Sequence, residues 1–129
     1  MPLTEQQIAE ILQLSFKDRF SYFIKRAAQA GVIYGLSTDG WAVGTDSTGR
    51  KIMLLWPDEE FAKLCATGEW AGYEAKPINV QLFINEMSPA MEEEKVLPGV
   101  FPMPITLNST IVSHKDLVAS LKYLIQEKN

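Results

Sequence analysis

Between residues 16 and 36 the apolar period changes once, from that of a helix to that of a strand, and this change limits the fold more than any other feature of the chain. Phe16, Phe20, Phe23, Ile24 and Ala27 recur at helical spacing and form one apolar stripe. Ser15 with Asp18 supplies a start signal, and Gly31 supplies a stop. Immediately afterwards Val32, Tyr34 and Leu36 alternate with Ile33 and Gly35 at period two. An amphipathic helix that runs directly into a strand has to pack on the sheet that the strand joins, which points to an α+β arrangement.

The flanking sequence extends this reading in both directions. Thr4 and Gln7 make a capping-box pattern ahead of Ile8, Ile11 and Leu12, which predicts a first helix from about Pro2 to Leu14. Asp39-Gly40 is a tight-turn dipeptide, so Trp41 to Thr45 should return antiparallel to the first strand. A turn at Asp46-Ser47-Thr48-Gly49 leads to Lys51–Trp56, whose apolar run predicts a central strand. Pro57 ends it, and Asp58, Glu59 and Glu60 place negative charge at the start of a helix that turns Phe61, Leu64 and Cys65 inward. A loop from Gly68 to Lys76 follows. Asn79 then caps a helix carrying Val80, Phe83, Ile84 and Met87, and Ser88-Pro89 restarts a short one ending in Glu92, Glu93 and Glu94. Val100-Phe101 and Ile111-Val112 read as short strands, and Ser113 with Asp116 caps a last helix with the stripe Leu117, Leu121, Leu124 and Ile125. The expected architecture is a small antiparallel or mixed sheet, a three-stranded meander plus two short later strands, packed against N- and C-terminal helices. Phe20, Phe23, Leu54, Phe61, Leu121 and Leu124 form its candidate core.

With 129 residues the chain is one domain, 1–129, and at 47% hydrophobic and 22% charged it has the composition of a folded globule. Twelve basic against sixteen acidic residues give a net charge of −4, which leaves no basic footprint for nucleic acid. No run of about 18 apolar residues is present to span a membrane, and the first ten residues lack the pattern of a secretory signal. A single cysteine excludes an internal disulfide and a multi-cysteine zinc site, and fits a reducing cytoplasm.

Residues with chemical potential each have a structural explanation. Gly44 to Lys51 approaches a phosphate-binding loop, but its second glycine is followed by Arg50-Lys51 and a strand, where the motif needs Lys-Ser/Thr and a helix. Ser113, His114 and Asp116 share one helical turn and cannot converge as a triad, so His114 reads as a surface histidine beside a cap. Cys65 lies on an apolar stripe and reads as a buried, inert thiol. The acidic runs show no loop that would gather them round a metal ion. No catalytic residue, metal ligand or cofactor is therefore expected. The aromatics are different. Core packing accounts for Trp41 and Trp56, whereas Trp70 and Tyr73 stand on a loop with two glycines, where rings often anchor a partner or ligand. Trp56, Pro57, Trp70 and Tyr73 are the candidate contact residues.

Several segments recur in a recognisable order: Val32 to Leu36 with Gly40-Trp41, Gly49-Arg50 through Leu54-Leu55-Trp56-Pro57 to Glu60-Phe61-Ala62, Trp70-Ala71-Gly72-Tyr73-Glu74, Val100-Phe101-Pro102, and Val112-Ser113. From about Phe16 onward the chain thereby resembles the bacterial family called domain of unknown function 2750. The resemblance implies a small stand-alone cytoplasmic protein of bacteria and carries no catalytic residue with it. A looser likeness to secretion-linked and immunity-type bacterial domains is an analogy of fold. The function expected is a non-enzymatic interaction module, immunity- or adaptor-like, with an unidentified protein partner and an open oligomeric state. The alternative is a small-molecule-binding protein or hydrolase with a pocket under Trp56, Trp70 and Tyr73.

Overall fold

The computed structural model describes residues 3–45, 48–102 and 110–128. Pro2 of the expected first helix and Asp46 and Ser47 of the expected turn lie outside them. Helix α1 (Glu5–Leu12) starts at Thr4 with the capping box formed in both directions, Thr4 accepting from the Gln7 amide and Gln7 from the Thr4 amide. Helix α2 (Phe16–Ala30) is capped by Ser15 and ended by Gly31 in the left-handed region at φ 73°, where a side chain would be strained. Its stripe puts Phe23, Ile24 and Ala27 in the core.

Strand β1 (Val32–Ser37) follows at once. The turn at Asp39-Gly40 exists, closed by a Ser37–Trp41 bridge and by the Ala42 amide donating to Leu36 at 2.7 Å. The chain then leaves β1, and β2 (Val43–Thr45) pairs antiparallel with β3 (Lys51–Leu55). The main partner of β1 is instead β4 (Glu74–Asn79), antiparallel in the register Val32 to Asn79. β3 also pairs in parallel with β5 (Val96–Val100), and β5 pairs antiparallel with β6 (Thr110–Ile111). The result is a two-stranded sheet, β1-β4, and a four-stranded mixed sheet, β2-β3-β5-β6. Tyr34 and Trp56 join the two through reciprocal backbone bonds of 2.9 and 2.8 Å.

The first half of β4, Glu74 to Lys76, falls in the segment read as a loop, and the strand contains Pro77. Its place explains how the sheet tolerates it. Pro77 stands opposite Tyr34, whose own amide and carbonyl point away to Trp56, so the donor that proline lacks has no acceptor waiting.

After α3 (Glu59–Leu64) and a short 3₁₀ turn (Gly68–Trp70), the helical segment after β4 runs on without a break. It passes from α4 (Val80–Leu82) through a π-helical turn (Phe83–Met87) into α5 (Ser88–Glu93), where two separate helices were expected. The Ser88 amide reaches back to the Phe83 carbonyl, and this widened turn makes room for Pro89, whose ring would collide with the preceding turn of a regular α-helix. Helix α6 (His114–Lys128) packs on α2 and α5. Of the candidate core residues Phe23, Leu54, Phe61 and Leu121 are buried, and Phe20 and Leu124 pack against them half-buried. Leu64 is exposed, since the inward face of the short α3 is filled by Phe61, Ala62 and Cys65. Trp41 is also exposed, at 37%, and lies across Gly35, where a Cβ would sit 3.0 Å from its ring.

Candidate functional site

The aromatic corner is built from the end of β3 and the turn before β4. Trp56 is fully buried, with its indole N–H donating to the Pro102 carbonyl at 3.1 Å, and Pro57 is buried beside it. Trp70 is 7% exposed, lies beside Gly44 of β2, and meets Tyr73 edge-on with ring centroids 5.3 Å apart. Tyr73 is the half-buried member. Three of the four residues thus face the interior, because the 3₁₀ turn folds the loop back onto the sheet.

Beneath this corner the polar groups are committed to one another. Asp58 begins α3, yet its carboxylate makes no cap bond and is buried. Its oxygens accept from the Tyr22 hydroxyl and from Arg26 Nε, each at 2.9 Å, which ties α3 to α2. Burial first, and then the bond to Asp58 and its charge, push the Tyr22 phenol well above its ordinary value. Tyr22, Phe61 and Phe101 close over the clasp, with the Phe61 and Phe101 rings 4.9 Å apart. Tyr22 and Arg26 were not singled out in the sequence, although their four-residue spacing beside the apolar stripe was the available signal. Burial also pushes the Cys65 thiol up to about 12, so it stays protonated at neutral pH and donates to the Pro102 carbonyl at 3.5 Å.

His114 corrects the expectation of a surface histidine. It is 4% exposed and bridges three elements. Nε2 lies 2.7 Å from the Val96 carbonyl of β5, which can only accept, so in the neutral ring Nε2 carries the proton. Nδ1 then accepts from the Ser88 hydroxyl of α5 at 2.7 Å. A serine bonded to a histidine base is the beginning of a nucleophile pair, but Ser88 is only 1% exposed. Ser88 is 26 residues from His114 in sequence, which no local pattern reports.

Two concave surfaces are lined by described residues. A groove of about 380 Å³ runs between α2 and α6, lined by Phe20, Ile24, Tyr123 and Leu124 with Ser21, Ala119 and Ser120; Lys25 is the one charge among its described lining residues. A cleft of about 430 Å³ is lined by His114, Val96, Leu97 and Ser113 and by four charged residues, Arg50, Glu92, Lys95 and Lys115. Neither includes the aromatic corner. Among the described residues no group of three His, Cys, Asp or Glu side chains is placed to hold a metal ion, and no helix is long and apolar enough to cross a membrane.

No curated protein matches the chain. Residues 20–121, from α2 to the middle of α6, match the family model described as a protein of unknown function, DUF2750. That span holds the clasp, the histidine bridge and both sheets, and the chain belongs to the DUF2750 family.

Proposed function

We propose that this chain is a non-enzymatic protein-interaction module of the bacterial cytoplasm, adaptor- or immunity-like, that meets its partner through the groove between α2 and α6. The observation that carries the reading is Tyr123, 65% exposed on the wall of an apolar groove, while Ser88, His114, Tyr22 and Asp58 are engaged with one another inside the fold. A large ring held on a helix loses little entropy on contact, which is why Tyr is enriched where partners bind. Trp56, Pro57 and Trp70 serve in this reading as a rigid support, and Tyr73 as a second contact at the edge of the module.

Photo-crosslinking in bacterial cells tests it. Benzoylphenylalanine in place of Tyr123 should yield one discrete adduct that disappears when Ser120→Arg blocks the groove, with the melting temperature unchanged. An adduct from position 73 and none from 123 would move the contact to the aromatic corner. No adduct from either, beyond that obtained at exposed Gln81, would end the proposal.

A further inference from the structure

We infer that α1 exchanges between two copies of this chain, the first helix of each copy seating on the other in a swapped dimer. Such an exchange keeps the contacts that α1 makes and changes only the joint that carries it, so the joint sets the balance. That joint is Gln13 to Ser15, between α1 and α2. Among the described residues, the buried side-chain nitrogen or oxygen without a hydrogen-bond partner is Arg19 Nε, and it lies here. The bend holds the Arg19 guanidinium over the Phe16 ring, 5.9 Å from its centroid, and against the Leu14 carbonyl, which accepts from Nη1 at 3.1 Å. Burial there pushes the guanidinium below the ordinary arginine value. A buried donor left unpaired carries a cost, and straightening the joint returns it to water.

The joint can straighten because nothing in it breaks a helix. Gln13 already has a helical backbone, φ −87° and ψ −7°, and neither glycine nor proline occurs from residue 3 to residue 30. Turning Leu14 and Ser15 into helix joins α1 and α2 into one rod from Glu5 to Ala30, about 39 Å long. The Gln13 and Leu14 carbonyls then take the amides of Lys17 and Asp18, which replaces the bond from the Asp18 amide to the Ser15 hydroxyl. A straight rod carries Leu3 away from Glu60, and α1 is held lightly enough to leave: none of its residues is buried. The occupant of the vacated seat is a second copy's α1, because the seat already fits that segment and the 2.7 Å bond from the Leu3 amide to Glu60 forms equally well between copies. Two-fold symmetry brings the two joints together. Phe16, 37% exposed, then gains a cover, and Lys17 and Asp18, exposed and without an ion pair among the described residues, can be set against each other across the axis. No residue of α1 is among the described lining of the groove between α2 and α6, so the exchange leaves that groove free.

Size-exclusion chromatography with light scattering tests the exchange on the full chain, warmed close to its melting temperature and cooled at about 10 μM and about 1 mM, where mass action should raise the dimer fraction with concentration. In a dimer formed from isotope-labelled and unlabelled chains, the nuclear Overhauser effect between the Leu3 amide and the Glu60 side chain should run between chains. Arg19→Met removes the buried donor and should raise the dimer dissociation constant at least about tenfold. Ser15→Ala removes a cap that only the bent joint uses and should lower that constant about threefold or more. A chain that stays monomeric at the higher concentration would overturn the exchange, as would a dimer in which the Leu3–Glu60 effect stays within one chain. A dissociation constant unmoved by both substitutions would overturn the joint as its source.

Discussion

At the scale of single residues, the buried polar groups of this chain couple stability to alkaline pH. The Tyr22 phenol is raised above its ordinary 10.0, by burial first and by Asp58 second, so the folded chain holds that proton more tightly than the unfolded chain does. The stability linked to it is complete below about pH 10 and is lost as pH rises beyond. Cys65, raised from 9.0 to about 12 by burial, acts in the same direction, starting near pH 9. Thermal melts from pH 7 to 11 should therefore show a progressive fall above pH 9. Tyr22→Phe should start lower at pH 7, having lost one bond to buried Asp58, and fall less steeply thereafter. Parallel curves for the two proteins would show that Tyr22 is not a source of the dependence. Cys65 should also resist alkylation at pH 8, reacting no faster than the chain unfolds, because both its burial and its protonation oppose attack. Its burial was legible from its place on the stripe with Phe61, whereas the inward facing of Asp58 was not: an acid at a helix start reads as a dipole partner, and Tyr22 and Arg26 lie more than thirty residues away.

At the scale of elements, the joints are where packing and hydrogen bonding meet. Ser88 and His114 link α5, β5 and α6 in one chain of two 2.7 Å bonds. Ser88→Ala leaves a buried Nδ1 without its donor and should cost roughly 1–3 kcal/mol in denaturant unfolding. Ser88→Cys, which keeps a weak donor, should cost less than the alanine; a loss below about 0.5 kcal/mol for the alanine would mean that the bridge contributes nothing to stability. Legibility divides here by mechanism. The caps at Thr4, Ser15, Asn79 and Ser113 all appear in the sequence and all form, because a cap is settled within four residues. β4 was missed because its permission for Pro77 comes from Tyr34 turning its backbone toward Trp56, a condition set by another strand. The continuous passage from Val80 to Glu93 was divided for a related reason: Pro89 is a helix breaker except where a π-helical turn precedes it.

At the scale of the whole molecule, the two sheets are joined by the reciprocal backbone bonds of Tyr34 and Trp56 and, through Ala42, by its bonds to Leu36 and Leu54, and that seam determines whether the chain unfolds as one unit. Trp56 is fully buried and both of its backbone groups are taken by Tyr34, while its neighbour Leu55 accepts from Phe101, so β1, β3 and the end of β5 are fastened within two residues. Phe23 of α2 is fully buried in the same core, and Phe23→Ala should cost about 3–5 kcal/mol. Helix α1 is different. None of its residues is buried; Leu3, Ile8, Ile11 and Leu12 are only half-covered, and the family match begins beyond it at residue 20. Its polar ties to the remainder include the Leu3 amide on Glu60 and Arg19 on the Leu14 carbonyl of the link to α2. Its opening therefore exposes little surface, while opening the seam exposes the core. Native-state hydrogen exchange should separate the two events. The amides of Tyr34 and Trp56 should exchange only through global unfolding, with a denaturant dependence equal to the equilibrium m-value, and those of α1 through a smaller opening with a shallow dependence. Two results would contradict this account of the molecule: protection of α1 equal to that of Trp56, or exchange at Tyr34 and Trp56 while the β3–β5 pairing remains protected, which would mean that the sheets part before the core does.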